Sequence, residues 1–238
     1  MLKQIEAKLN EVKTNLPDNA QFKEWLLNSN LWSWIYSCFL AQGQNVSKPC
    51  IVDMTEGKLR DEAPLSCYTF VLAVKDIYMD MQNDISMLSD PSLKLFKRWA
   101  KLFGCEDYRQ SNPVIFEYGF VPCHFRMIDE ELDEAFRKYA SSREDGIKAS
   151  ADLFLDIIRA FPYDEETVDM AFVVLMYCLL ERGYPLPELG LTERDFNAMI
   201  SECMKEKDYS NFYSLLGRNI YNRLDAILLI EKQANEIL

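Results

Sequence analysis

The sequence offers few side chains that could act as a nucleophile or a general base. His124 is the single histidine, and it follows Cys123 directly in the chain. A cysteine and a histidine form a nucleophile and its base only where their side chains meet in space, and adjacency in sequence does not provide this. We therefore interpret His124 as an ordinary loop or packing residue. A relocated catalytic base is the alternative interpretation.

The seven cysteines are an odd number, widely spread, with no Cys-x-x-Cys spacing. This pattern is typical of reduced thiols rather than of a disulfide framework. With one histidine and no clustered ligands, the sequence predicts no metal site. The cysteines expected in the core are Cys38, Cys50, Cys67, Cys105, Cys123, Cys178 and Cys203.

Three consecutive carboxylates, Asp164, Glu165 and Glu166, precede a strongly apolar segment. Carboxylates complement the positive end of a helix, so the run is typical of a helix start. A carboxylate cluster could also bind a divalent cation. Because consecutive residues at a helix start point in different directions around the axis, we favour a solvated helix start.

Composition limits the class of protein. The chain has 238 residues, 49% of them hydrophobic, which suffices for one large domain with a substantial core. The formal net charge of −12 repels phosphate backbones and anionic headgroups, so we expect no nucleic-acid partner and no membrane partner. The N-terminus lacks a signal-peptide pattern, and the longest apolar stretch, 170–180, is too short to cross a bilayer. We expect a cytoplasmic protein.

Apolar spacings of three and four dominate the sequence and predict a mainly α fold. We expect an irregular loop over 43–64, because this stretch has no period. Helices are predicted over 2–16 (stopped by Pro17 and Asp18), 22–28, 32–40, from 65 to at least 77, from Asp90-Pro91 to Gly104, and over 127–139, 147–158, 165–180, 192–204 and 209–229.

A single segment has a strand-like composition. Asn112-Pro113 is followed by a run rich in β-branched and aromatic residues, with a glycine in it, which predicts one small β-hairpin. The run consists of Val114, Ile115, Phe116, Glu117, Tyr118, Gly119, Phe120 and Val121.

The order of motifs from about Trp32 to about Arg223 resembles the Fic/Doc (Fido) family. Fic proteins place a loop, H-P-F-x-[DE]-G-N-G-R-x-x-R, between two helices. The second helix is followed by a Gly-Tyr-Pro turn and a helix bearing Y-x-x-A. The matching pieces are Phe161-Pro162, Gly183-Tyr184-Pro185, Phe196-Asn197-Ala198, Tyr108-Arg109 before the hairpin, Val121-Pro122 after it, and Gly57-Lys58 with Asp61.

The resemblance implies a Fic-like helical bundle with one β-hairpin, which in this family is called the flap. We expect residues 1–30 to form an N-terminal helical extension. Residues 31–238 would form the Fic-like domain, and the two parts would pack as one unit.

The loop departs from the family motif at the positions that serve catalysis and phosphate binding in the family. The alignment puts Arg159 at the histidine position and Phe161 at the motif phenylalanine. Arginine stays protonated, so it cannot act as an ordinary general base. Asp164, Glu165 and Glu166 replace the Gly-Asn-Gly that binds phosphates, and their charge would repel a nucleotide. Thr167 and Met170 stand at the two motif arginines.

A second departure concerns the inhibitory helix of many Fic proteins, [ST]-x-x-x-E-[GN], whose glutamate pairs with a motif arginine. The best match begins at Ser37 and has Ala41 at the glutamate position. Both partners of the ion pair are therefore absent. Joint loss is coherent, because one buried charge left alone costs several kcal/mol.

These observations predict a Fic-like protein without AMP-transferase activity, acting as a protein-binding or regulatory module. We expect a protein partner on the flap, by strand addition along 114–121, and no cofactor. The alternative is a transferase of altered chemistry that moves a nucleotidyl or phosphoryl group onto a protein hydroxyl. It would use Asp164 or Glu165, and only then are ATP and Mg²⁺ expected. A third interpretation is a self-associating helical protein, a homo-oligomer.

Overall fold

The structure is a computed structural model. It describes residues 1–15, 20–60, 63–87, 90–115, 118–142 and 145–237, with side chains as far as residue 232. The described residues form ten α-helices, and the predicted mainly α class is confirmed. The helices are α1 (Leu2–Asn15), α2 (Ala20–Ala41), α3 (Lys48–Thr55), α4 (Leu65–Ser86), α5 (Leu93–Leu102), α6 (Ile128–Ser141), α7 (Gly146–Ala160), α8 (Thr167–Glu181), α9 (Glu193–Glu206) and α10 (Ser210–Ile237).

Helices α7 and α8 form the centre of the bundle. Every side chain of α8 from Met170 to Leu179 is buried, as expected for a helix that is apolar all round. Helix α7 packs against α6, α8 and α10, while α8 also contacts α2, α4 and α5. Helix α1 lies along α10. The loop between α7 and α8 is therefore held by the best-packed part of the molecule.

Side-chain caps fix the start of several helices. Ser92, Asp145 and Thr192 each accept a hydrogen bond from the backbone N–H three residues further on. This contact satisfies one of the free donors of a first helical turn. Helix α5 therefore begins after the Ser92 cap, two residues later than Asp90-Pro91 predicts.

The prediction of two helices over 22–28 and 32–40 is wrong, because α2 runs through both without a break. Ser29 and Asn30 lie between the two predicted helices, and such side chains can compete with the backbone for hydrogen bonds. Here they bond Arg223 of α10 instead. The boundary expected at residue 30 consequently falls inside a helix.

The predicted irregular loop over 43–64 contains a helix, α3. Its start is marked by Ser47, whose side chain accepts from the Cys50 N–H, and by Pro49 in the first turn. Both are ordinary start signals that the lack of an apolar period concealed. The predicted stop at Pro17 and Asp18 lies outside the described residues.

All seven cysteines are free thiols, as predicted, and six of them are buried. The prediction that Cys123 lies in the core is wrong, because it is only half-buried. In the part of the chain that the structure describes, no helix combines the length and the apolar character needed to span a membrane.

Candidate functional site

The loop between α7 and α8 begins at Phe161 and ends at Glu166. Phe161 closes α7 with a left-handed backbone, at φ 48°, which turns the chain away from the helix axis. Arg159 does not lie in this loop. It belongs to the last turn of α7, where its Nη2 pairs with Asp156 Oδ1 at 3.1 Å. Arg159 thus precedes the loop by two residues, and its alignment with the motif histidine stays a prediction.

Side chains of the loop itself fill its interior. Phe161 is 8% exposed and Tyr163 is 4% exposed, so both rings belong to the core. The buried hydroxyl of Thr167 accepts from the Tyr163 N–H at 2.9 Å and donates to the Tyr163 carbonyl at 2.6 Å. The N–H of Tyr163 is thereby used within the loop and does not point to a ligand.

Arg109 fastens the loop from the opposite side. It is 4% exposed, and its guanidinium donates to the carbonyls of Phe161 at 2.6 Å and Ala160 at 3.2 Å. The same group donates to the carbonyls of Ser111 and Cys123, which flank the flap. Desolvation lowers the pKa of Arg109, but arginine starts so high that it remains charged. One buried cation thus ties the flap base to the α7–α8 loop.

The acidic run borders a groove of about 750 Å³ beside the loop. Asp164 and Glu165 are exposed, Glu166 is half-buried, and Glu106 and Asp107 line the opposite wall. Helix α8 starts at Thr167, two residues later than predicted, with Glu166 at its cap position but making no side-chain cap bond. No group of three or more Asp, Glu, His or Cys side chains within the described residues could hold a metal ion.

The uncharged titratable groups of the groove resist deprotonation. Burial, with Glu166 nearby, raises the pKa of the Cys105 thiol to about 12. Burial also raises the pKa of Tyr108 and of Tyr163 above the ordinary range, with neighbouring carboxylates adding to the effect. These three groups are therefore weaker acids than usual, and none of them forms a ready nucleophile at neutral pH.

The end of α2 is fixed to the first turn of α8. Gln42 Nε2 donates to Asp169 Oδ1 at 2.6 Å, and burial raises the pKa of this carboxyl to about 7, despite the hydrogen bond. Ser37 and Ala41, the residues aligned with an inhibitory helix, are both buried in α2. The Ser37 hydroxyl accepts from the Leu189 N–H at 2.9 Å, so its contacts are structural.

The structure describes six of the eight residues of the predicted flap. Within 114–121, Phe116 and Glu117 lie outside the described residues, and the rest forms one antiparallel bridge, Ile115 to Phe120, with an N–O distance of 3.3 Å. Ile115 and Tyr118 are buried. Val114 and Val121 stay exposed on either side of the bridge.

Gly119 turns the flap with φ +63°, close against α9. A side chain at this position would meet Lys205 Cε at 3.1 Å. The turn thus favours glycine for its backbone conformation, while the flexible end of Lys205 would have to move slightly to admit a larger residue.

His124 has a local structural role. Its side chain is exposed, its Nδ1 accepts from the Arg126 N–H at 3.3 Å, and its ring stacks on Phe125 at 4.6 Å. These contacts cap the 3₁₀ turn Phe125–Met127. They agree with the interpretation of His124 as a loop residue.

Sequence reasoning missed two features of this region. It singled out Arg109 only as part of a family match, without the bonds that make it the anchor of the loop. It also passed over Asp169 and Gln42. A single carboxylate inside the apolar run from Val168 to Leu180 was the available signal, because an acidic residue there must find a partner.

No protein-family model matches the sequence, and no curated protein matches it either. Solved structures do match. A Fic domain containing signaling protein from Bacteroides thetaiotaomicron is similar with a TM-score of 0.82 at 13% identity, over 97% of both chains. Fic-1 from C. elegans is similar with a TM-score of 0.80 at 11% identity, over 98% of this chain and 72% of that one.

A Fic family protein from Desulfovibrio desulfuricans has a TM-score of 0.73 at 9% identity, over 95% of this chain and 74% of that one. The likeness in each case extends over nearly the whole of this chain, including α1 and α10. Together with the helix order and the loop between α7 and α8, it leads to one conclusion: the chain has the fold of Fic domain proteins.

Proposed function

We propose that this chain is a divergent Fic family member that does not transfer AMP and acts as a protein-binding or regulatory module. The observation that carries the proposal is the filled α7–α8 loop. The Thr167 hydroxyl bonds both the N–H and the carbonyl of Tyr163, and Arg109 donates to the carbonyl of Phe161. Carboxylates line the groove beside the loop. A nucleotide phosphate would need free N–H donors and positive charge at this place.

The proposal does not depend on how the motif is aligned. Since Arg159 lies in α7, a second register puts Phe161-Pro162-Tyr163 opposite H-P-F, at the start of the loop. A guanidinium or a phenyl ring then stands at the histidine position, and neither accepts a proton at neutral pH. The general base is missing in both registers.

The phosphate-binding positions are also lost in both registers. The Gly-Asn-Gly positions hold Asp164 to Glu166 in the first register and Glu166 to Val168 in the second. The two arginine positions hold Thr167 and Met170, or Asp169 and Phe172. Glycine-free backbone keeps a phosphate at a distance, and a carboxylate repels it.

The contact between α2 and α8 supports the view that the α7–α8 loop stays blocked to nucleotides. In Fic proteins with an inhibitory helix, a glutamate on that helix pairs with a motif arginine. Here Gln42 and Asp169 meet instead, and their hydrogen bond joins the same kinds of elements without an arginine. We infer that a switch between blocked and nucleotide-bound states has been replaced by a permanent contact.

Partner binding is proposed for the flap. Val114 and Val121 are 53% and 69% exposed, and they flank the bridge between Ile115 and Phe120. Extended segments can add to such an edge through backbone hydrogen bonds, with side chains selecting the partner. This use of the flap needs no nucleotide, so it can persist after the transfer chemistry is lost.

The proposal is tested by incubating the purified protein with a cell lysate, Mg²⁺ and ATP labelled on the α-phosphate. An active Fic domain protein serves as the positive control. We expect no labelled band above the ATP-only background. Labelling that disappears when Asp164 and Glu165 are both changed to alanine would contradict the proposal.

That last outcome would favour the alternative, a transferase of altered chemistry. Its specific support is Glu165, which stands at the acidic [DE] position in the second register and is exposed in the groove. A thermal-shift screen of nucleotides with and without Mg²⁺ discriminates further, because a ligand of the native state raises its melting temperature. The alternative requires a shift that depends on Glu165.

A further inference from the structure

A second cavity, of about 440 Å³, lies on the flank of α7 away from the acidic groove. Its walls come from α6, α7 and the start of α10, with the α9–α10 connection closing one side. It shares no lining residue with the groove beside the α7–α8 loop. The volume lies within the range of small-molecule sites.

The charge of this cavity is opposite to that of the chain as a whole. Its lining carries the basic side chains Lys138, Lys148, Arg159 and Lys207, against three aspartates. The chain has a net charge of −12, so four cations around one cavity stand apart from the average surface. Against the three aspartates, the four cations leave a formal charge of +1 at the cavity, an excess that favours an anionic ligand.

Asp156 organises the cations at the cavity. Its carboxylate is 7% exposed and accepts from Lys138 Nζ at 3.4 Å, Arg159 Nη2 at 3.1 Å and the Tyr209 hydroxyl at 3.4 Å. One carboxylate thus faces two cations, which leaves a positive charge in excess. Lys138 and Arg159 are each about half exposed, at 51% and 46%, so they can still reach a ligand.

Lys207 adds a cation in an unusual backbone conformation. It ends α9 with φ 52°, a left-handed conformation in which glycine is the usual residue. Among the described residues it forms no ion pair with a carboxylate. Its backbone therefore carries a strain that glycine would relieve.

We propose that this cavity binds the phosphate group of a small phosphorylated molecule. Arg159 and Lys207 would hold the phosphate oxygens, because guanidinium and ammonium groups are the side chains that pair with phosphate. Asp156 keeps Arg159 and Lys138 in place, and Tyr209 lies beside them at the start of α10. The lining residues of this cavity differ from those of the groove beside the α7–α8 loop and from the flap residues 114–121.

The proposal is tested by titrating the labelled full chain with phenyl phosphate, and separately with inorganic phosphate, while recording amide chemical shifts. We expect saturable shifts centred on residues 207–213. Lys207→Gly and Arg159→Gln should each weaken the affinity about tenfold, the effect of losing one charge-assisted bond. Phenol and potassium chloride at equal ionic strength should give no saturable shift there.

Lys94→Ala is the matched control, since Lys94 is an exposed lysine of α5 outside this cavity. It should leave the affinity unchanged. Lys207→Gly removes strain and should raise the melting temperature, so its lost binding cannot be ascribed to unfolding. The proposal is overturned if neither phosphate compound gives saturable shifts, or if both variants bind as the wild type does.

Discussion

Helix α7 contributes to two regions that use positive charge in opposite ways. At the C-terminal end of α7, the buried Arg109 donates to backbone carbonyls, and carboxylates face the neighbouring groove. On its flank, Arg159 is half exposed and lies with three lysines around a cavity. Arg109 is a structural residue, because its donors are bonded to backbone carbonyls. Arg159 shares one carboxylate with a lysine and is half exposed, so it remains available to a ligand.

This difference matters for the fold family to which the structure is similar. Fic motif arginines act on a nucleotide at the α7–α8 loop, and here that end of α7 has become a packed joint between the loop and the flap. The cationic surface is on the other side of the same helix. The proposed phosphate site would thus lie on a different side of this helix from the α7–α8 loop.

The largest expected effect concerns Arg109, which links the α7–α8 loop to the base of the flap. Arg109→Ala removes the donor from two buried carbonyls, those of Phe161 and Ala160, and from two partly buried ones, those of Ser111 and Cys123. We expect a loss of about 3 to 5 kcal/mol in the free energy of unfolding. Urea denaturation measures it. Arg137→Ala is the control: its side chain is 63% exposed, and its surface ion pairs should contribute under about 1 kcal/mol. Equal losses in the two variants would remove the distinction between the regions.

The second test concerns the closure of the loop. Thr167→Val keeps the shape of the side chain but leaves the N–H and carbonyl of Tyr163 unpaired in a buried place. We expect a loss of about 1 to 3 kcal/mol, and faster hydrogen exchange at the Tyr163 amide. Thr69→Val is the matched control, because the Thr69 hydroxyl is exposed and bonds only the Leu65 carbonyl. An unchanged Tyr163 amide would mean that the loop is not closed by Thr167.

The third test uses pH at the contact of α2 with α8. The folded-state pKa of Asp169 is raised to about 7 by burial, so its contribution to stability is present at low pH and is lost as pH rises through 7. Asp169→Asn keeps the acceptor for Gln42 and removes the charge. We expect a gain of about 1 to 2 kcal/mol at pH 8, shrinking to near zero at pH 4. Parallel stability curves of the two proteins from pH 4 to 8 would contradict this account.

The smallest expected effect is at the cationic cavity. Lys207→Gly should stabilise the fold by about 0.5 to 1 kcal/mol, because the left-handed conformation costs a side chain energy that glycine does not pay. Thermal unfolding measures the gain. Lys94→Gly, within a regular helix, should destabilise instead. A destabilised Lys207→Gly would indicate that the lysine has structural contacts beyond those described.

The helical part of the fold was predictable where apolar residues recur with a clear period and a cap follows. Helices α6, α7, α9 and α10 begin within a residue or two of their predicted positions. The failures arose where local signals compete with distant ones. Ser29 and Asn30 predict a break, but Arg223, nearly two hundred residues away in the chain, satisfies them within one helix.

The site was predictable in its residue types and not in their positions. The run Asp164 to Glu166 was located in the loop from sequence, and its exposure follows from its charge. A register of the motif that starts at Arg159 could not be told from one that starts at Phe161, because both the helix end and the motif match are defined only to about two residues. The bonds of Arg109 depend on three segments meeting in space, and no local pattern encodes them.

The most direct test of the central claim is calorimetric titration of the full chain with ATP and Mg²⁺, followed by the same titration of Arg159→Gln. Heat can arise at the loop or at the cationic cavity, and the variant separates the two sources. The account predicts that any ATP affinity of the wild type falls about tenfold in Arg159→Gln and is unchanged in Glu165→Ala. Saturable ATP binding that persists in this variant and is lost in Glu165→Ala would place a nucleotide at the loop and contradict the account.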